Sequence, residues 1–358
     1  MTIGRRDILL GTAASALSLT VAGGARAANR QLIVQAGSPS PNSGFIPLYV
    51  SQQLGFFNEE GLDVEVRYTR GAGIAMQLVS VGQADMGFFV YDSLISGYGE
   101  GLRGTYFYQY YTHPIFSIGI PADSSIKVAA DLAGKRIGVA SLGSAGVPIA
   151  KSILRSSNVD PGSVSFVPIG VGNQALVALT GNQVDALCLW DAPFGSLEVL
   201  GANLRFIAHP KLSGVGSGGY VASPKVILDR EADLIGFGRA VAKGTAFVLR
   251  NPEGAIQMYW KANPSGRQGD SDAAAMKIAL TETKYIFENI KVTATAGERP
   301  IYGNIKLDEL QQYIDVNAIE LGVKSPPCAE DIATTKLVAP INQFDLSAIE
   351  KMAMSWSK

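Results

Sequence analysis

The chain has 358 residues, 47% hydrophobic and 8% aromatic, with 30 Lys and Arg against 31 Asp and Glu for a formal net charge of −1. That length suits two domains of ordinary size, each able to bury its own core. The basic residues are scattered with no run to neutralise a row of phosphates, which excludes nucleic acid as the expected partner.

The chain opens with Arg5-Arg6, an apolar stretch over 8–23 and Ala25-Arg26-Ala27, an A-x-A site of the kind signal peptidase cuts. Residues 1–27 therefore read as a signal peptide cleaved after Ala27, which places the mature, mildly acidic chain in the periplasm. Gly4-Arg5-Arg6-Asp7-Ile8-Leu9 resembles a twin-arginine signal, with the general secretory route as the alternative. Ser15, Ser18 and Thr20 interrupt an apolar run already short of the ~20 residues that span a bilayer.

Beyond this leader the chain repeats one order of elements. The first copy predicts a strand over 32–36, a helix over 44–57, a strand over 62–68, a helix over 74–81 and a strand over 86–90. The second predicts a strand over 136–140, a helix over 145–156, a strand over 164–169, a helix over 174–179 and a strand over 186–189. Ser43 stands four residues before Pro47, and Ser144 four before Pro148, each pair fitting an N-cap with Pro in the first turn. Gly82 and Gly181 fit helix stops ahead of Asp85 and Asp185. Strands alternating with helices give the α/β class with mostly parallel sheets, and two copies give two similar Rossmann-like lobes with a cleft between them.

The extended segments 115–120 and 220–223 read as the outward and returning connections between lobes. Residues 28–117 then form the first part of one lobe, 118–221 the second lobe, and 222–358 the remainder of the first. Helical patterns follow over 231–250, with Leu234, Val241, Phe247 and Val248 on one face, then from Asn251-Pro252-Glu253, and over 272–287, 307–321 and 347–353. This last third is expected to pack on the first lobe. Cys188 sits in an apolar run and Cys328 in a Pro-rich turn, so two free thiols are expected.

Leu54-Gly55-Phe56-Phe57-Asn58-Glu59-Glu60-Gly61-Leu62-Asp63-Val64-Glu65-Val66 resembles the helix-to-strand passage of the sulfonate, taurine, nitrate and thiamine-pyrimidine-precursor binding proteins. Val81 to Asp85, Asp131 to Val139 and Leu212 onward keep the same order, so the resemblance spans nearly the whole mature chain. It implies a periplasmic binding protein fold of type II, a small-molecule ligand, an ABC importer permease as partner, and a monomer. It does not identify the ligand. No cofactor is expected.

In open parallel sheets a ligand sits beyond the carboxyl ends of the strands. That rule names loops 37–43, 69–73, 91–93, 141–145, 170–173 and 190–193. Among them Ser38, Ser40 and Asn173 are hydrogen-bonding candidates. Ser141, Gly143, Ser144 and Ala145 offer hydroxyls and free backbone N–H groups at a helix start, suited to an anion, with simple capping by Ser144 as the alternative. Arg70, beside Gly71, is the one strongly basic residue in these loops and has the fork to hold a carboxylate or sulfonate. Tyr91 with Asp92, and Trp190 with Asp191, place an aromatic and a carboxylate at the corresponding strand end of each lobe, either for a flat ligand or as core and turn residues.

Enzyme function is the competing class. With His113 and His209 as the two histidines there is no H-E-x-x-H, and no G-x-S-x-G occurs. Gly214-Val215-Gly216-Ser217-Gly218-Gly219 precedes a strand instead of joining strand to helix, so it is not a nucleotide loop. The fungal pyrimidine synthases that share the resemblance carry a cysteine cluster where Cys188 stands alone. A ligand-sensing partner of a membrane receptor would share the fold and site.

Overall fold

Buried apolar runs punctuated by glycine build strands covered on both faces. The computed structural model describes residues 29–357 apart from 292–294, 297–298 and 322, so the expected signal peptide lies outside the described residues. Strands β1 (Arg30–Ala36), β2 (Leu62–Tyr68), β3 (Met86–Val90) and β4 (Thr105–Tyr111) belong to a first sheet. Strands β5 (Phe116–Pro121), β6 (Arg136–Val139), β7 (Ser165–Pro168), β8 (Ala186–Trp190) and β9 (Leu204–Ile207) form a second, and β10 (Gly218–Ala222) returns to the first.

The two sheets have matching orders, β2-β1-β3-β10-β4 and β7-β6-β8-β5-β9. In each, the first three strands are parallel and the fourth is antiparallel to both neighbours. That fourth strand is always the one arriving from the other sheet. The segments read from sequence as connections, 115–120 and 220–223, are therefore largely strands within sheets. The chain crosses instead over 112–115 and 208–217.

The helices are α1 (Ile46–Gln53), α2 (Phe56–Glu59), α3 (Ala72–Ser80), α4 (Asp92–Tyr98), α5 (Gly146–Ser156), α6 (Asn173–Thr180), α7 (Asp191–Val199), α8 (Pro224–Asp229), α9 (Glu231–Arg250), α10 (Pro252–Ala262), α11 (Asp272–Asn289), α12 (Leu307–Leu321), α13 (Ala329–Ile332), α14 (Val338–Ile341) and α15 (Leu346–Ser355). The helix expected over 44–57 is broken because Gly55 takes the left-handed region at φ 77°. Its start is capped by Asn42, whose Oδ1 accepts from the Gly44 N–H at 2.9 Å, and not by Ser43. Ser144 does not cap α5 either. Ala145 already has helical dihedrals, which leaves Ser144 one residue outside the position from which an oxygen reaches the first-turn N–H groups. Gly82 ends α3 at φ 73° as expected, but at the end of α6 the left-handed residue is Asn182 (φ 53°), with Gly181 at φ −80°.

The repeated aspartates clasp the strand ends. Asp85 donates its N–H to the Ile33 carbonyl at 3.1 Å and accepts the Ile33 N–H on Oδ2 at 2.7 Å. Asp185 does the same to Arg136 at 2.8 Å each way. A guanidinium completes each clasp, Arg230 on Asp85 at 3.1 Å and Arg136 on Asp185 at 3.0 Å.

On the first sheet, α9 buries Leu234, Phe237, Val241, Phe247 and Val248. Phe237 lies 4.8 Å from Tyr220 of β10 and 5.4 Å from Phe57, ring centre to ring centre. The C-terminal third does not stay on the first lobe. Helices α9, α10, α14 and α15 cover it, but α11 packs along α7 of the second lobe, and α12 lies against both α4 and α5. A Cβ on Gly195 of α7 would come within 2.0 Å of the Glu282 carbonyl oxygen of α11, so that approach requires glycine.

Asp85→Ala removes a charge-assisted bond to a backbone N–H and leaves Arg230 without its partner on β3. We expect a loss of about 1.5–3 kcal/mol in urea denaturation, against a change within about 0.5 kcal/mol for Asp63→Ala on the exposed side of β2.

Candidate functional site

The carboxyl ends of β1, β3 and β8 converge with the first crossover on a cavity of about 70 Å³. Six aromatic residues line it: Phe45, Phe88, Phe89 and Tyr111 from the first lobe, and Phe116 and Trp190 from the second. Phe45 meets Phe88 edge to face at 5.1 Å, and Phe116 lies 5.9 Å from Trp190, its partner across the β5–β8 ladder. The polar side chains on the wall are Ser38, Asn42 and Ser144, and no charged side chain lines it.

Ser38 is buried and donates to the Ser40 carbonyl at 2.9 Å, so Ser40 contributes a backbone oxygen to the loop while its side chain is exposed. Ser144 is the more telling group. Its Oγ is buried without a hydrogen-bond partner, beside Ala145 at the start of α5, where the Val147 N–H already donates to the Ser144 carbonyl at 3.2 Å and Pro148 has no N–H. A compact acceptor group, neutral or singly negative, would satisfy the hydroxyl.

Loops of the two lobes touch beside the cavity. Ser141 Oγ donates to the Arg70 carbonyl at 2.7 Å, and a Cβ on Gly71 would lie 2.4 Å from the Gly143 carbonyl oxygen. Ser141, Gly71 and Gly143 thus join the lobes instead of lining the cavity. The Arg70 side chain is exposed and outside the wall, and so is Asn173 at the start of α6.

Tyr91 and Asp92 are not counterparts of Trp190 and Asp191. Tyr91 has helical dihedrals (φ −58°, ψ −34°) whereas Trp190 is extended (φ −101°, ψ 177°), so the chain turns away one residue earlier relative to the wall and Val90 takes the lining place. Tyr91 is buried with its hydroxyl on Gln109 Oε1 at 3.0 Å, and Asp92 accepts a short hydrogen bond from Tyr313 of α12. Burial lifts the Asp92 carboxyl from its ordinary 3.8 to about 6, and the Tyr313 hydroxyl offsets only part of this. Burial likewise raises Asp191, just behind Trp190, to about 7 against the hydrogen bond from Asn289 Nδ2 at 3.1 Å.

Asn42, Phe45, Phe88, Tyr111 and Phe116 were not among the sequence candidates. Asn42 falls inside the named loop 37–43, whereas the aromatic residues lie on elements whose facing depends on long-range pairing.

Residues 42–255 match the family model described as NMT1/THI5 like. The chain is 25% identical over 234 residues to the 4-amino-5-hydroxymethyl-2-methylpyrimidine phosphate synthase of Legionella pneumophila subsp. pneumophila, a match covering 62% of this chain and 70% of that protein. Among solved structures it is similar to a protein of Bordetella bronchiseptica RB50, with TM-score 0.69 and 22% identity over 89% of this chain and 98% of that one. It is also similar to the alkanesulfonate-binding protein SsuA of Xanthomonas axonopodis pv. citri bound to MOPS, with TM-score 0.61 and 17% identity over 88% and 99%. The shared architecture is the two-lobed α/β fold of periplasmic binding proteins.

A raised carboxyl means that the folded state keeps a proton which the unfolded chain has released, so stability falls as pH rises from the ordinary carboxylate range through the folded value. Asp92→Asn removes that titration. In denaturant melts, the loss of stability between about pH 4 and pH 7 should be smaller than in wild type by about 1–3 kcal/mol.

Proposed function

This chain belongs to the NMT1/THI5-like family, and on that premise we propose that it is an exported periplasmic receptor that captures a small organic ligand and presents it to an ABC importer. The carrying observation is the cavity itself, an aromatic chamber between two lobes, with the buried, unpartnered Ser144 hydroxyl at the start of α5. Aromatic faces suit a flat or apolar ligand body. The helix start and hydroxyls suit a single compact head group such as a sulfonate or carboxylate, since a helix end contributes up to about 2 kcal/mol when partly buried. With no charged side chain on the wall, a second ligand charge would go unmatched at high cost.

The crossovers at 112–115 and 208–217 are the hinge in this reading, and contact of Gly71 with Gly143 marks the closed form. The mature receptor starts at Ala28 and acts as a monomer beside its membrane permease. Among the described residues no helix is long and apolar enough to cross a membrane.

The name of the Legionella relative supports a second reading, a pyrimidine-forming enzyme. Against it stands Cys188, which is fully buried in β8 with its thiol held protonated by burial, and lies off the cavity wall.

A thermal-shift screen of aromatic and alkyl sulfonates, carboxylates and pyrimidines tests the proposal. A bound compound at 100 times its Kd should stabilise the protein by about 2.7 kcal/mol. Trp190→Ala should weaken its binding roughly ten- to a hundredfold, and Gly71→Val, which forces the two loops apart, should weaken it too. Wild-type affinity in Trp190→Ala would refute the cavity as the site, and chemical conversion of the bound compound would establish the enzyme reading.

A further inference from the structure

Asn289, at the last turn of α11 and nearly fully buried, commits both ends of its side chain and its carbonyl to two different parts of the molecule. Its backbone carbonyl accepts from the Thr112 N–H at 3.0 Å and from Thr112 Oγ1 at 2.5 Å. Its Oδ1 accepts from the His113 N–H at 3.1 Å. Its Nδ2 donates to Asp191 Oδ2 at 3.1 Å. Thr112 and His113 begin the outward crossover, while Asp191 begins α7 in the second lobe.

These bonds close a ring. From Thr112 the crossover runs four residues to Phe116, which pairs with Trp190 across the β5–β8 ladder and touches its ring at 5.9 Å. Trp190 is followed directly by Asp191, and Asp191 returns through Asn289 to Thr112. The second crossover joins at the same place, since Ser217 Oγ donates to the His113 carbonyl at 2.7 Å. Trp190, the aromatic wall of the second lobe, is thus braced against the segments about which the lobes would turn. Helix α11 supplies the brace from outside the cavity, held to α7 by Tyr285 on Glu198 at 3.0 Å and by the Ser196–Glu282 bond.

We propose that Asn289 is a positioning residue for ligand capture, fixing the orientation of Trp190 to the hinge through Asp191, Thr112 and His113. The capture part of this statement rests on the receptor reading given above. The positioning part does not, because Trp190 is held by the ring whether or not a ligand is present.

The test uses the ligand-free protein with Trp260 and Trp356 replaced by Phe, leaving Trp190 as the single tryptophan, and acrylamide as the quencher of its fluorescence. Asn289→Ala should at least double the quenching constant. Thr112→Val, which removes one bond of the same ring, should raise it by a smaller factor. The double variant should not exceed Asn289→Ala, as expected for two groups acting through one connection. An unchanged quenching constant in a folded Asn289→Ala would overturn the proposal. If that variant does not fold, an unchanged constant in Thr112→Val would do so. Raised quenching together with no binding by any compound of the screen would support the positioning role and count against the receptor reading alone.

Discussion

β5 leaves the first lobe to take the fourth place in the second sheet, and β10 leaves the second lobe to take the fourth place in the first. Each lobe therefore completes its sheet with a strand that the other lobe delivers, and the chain must cross between them twice. The two crossovers lie side by side, joined where Ser217 Oγ donates to the His113 carbonyl at 2.7 Å. They also set the carboxyl ends of β1, β3 and β8 toward one another, so that loops which would otherwise face solvent enclose a cavity. The aspartate clasps at Asp85 and Asp185 hold the parallel strands in register at the opposite ends.

The groups that join the lobes differ from those that line the cavity. The loops meet largely through backbone, with Gly71 against Gly143 and Ser141 on the Arg70 carbonyl. The lining is aromatic and uncharged, with ionisable groups set behind it, where burial keeps Asp191 and Asp92 inclined to hold their protons. Such a chamber favours ligands by shape and apolar area, with orientation supplied by a few hydroxyl and amide groups. Helices α11 and α12 bridge the lobes on the outside, so any rotation of the lobes must be accommodated at their contacts with α7 and α5.

The parts of this arrangement written in local pattern were legible in the sequence. Periodicity placed the strands 32–36, 62–68 and 86–90 and their repeats, and the recurring Gly and Asp showed the duplication. The strand exchange was not legible, because an antiparallel neighbour in the middle of a sheet is chosen by packing between segments far apart in the chain, as for Tyr220 opposite Phe88 and Phe116 opposite Trp190. The same limit hid the aromatic wall. Sequence spacing equated Tyr91 with Trp190, but a one-residue difference in where the helix begins sends one into the core and leaves the other at the cavity. Arg70 stands in a strand-end loop and carries a charged fork, but neither property says which way a loop side chain faces, and this one is exposed. Ser144 stands just before the start of α5, yet its hydroxyl is free of the cap that local spacing suggested.

In the proposed receptor, ligand binds between the aromatic walls of the two lobes with its head group at the start of α5. A crystal structure of the protein with a compound selected by thermal shift tests this most directly. The compound's body is expected between Phe88 and Trp190, with an acceptor atom within hydrogen-bond distance of Ser144 Oγ. A compound bound outside the cavity, or inside it with Ser144 Oγ still without a partner, would contradict it.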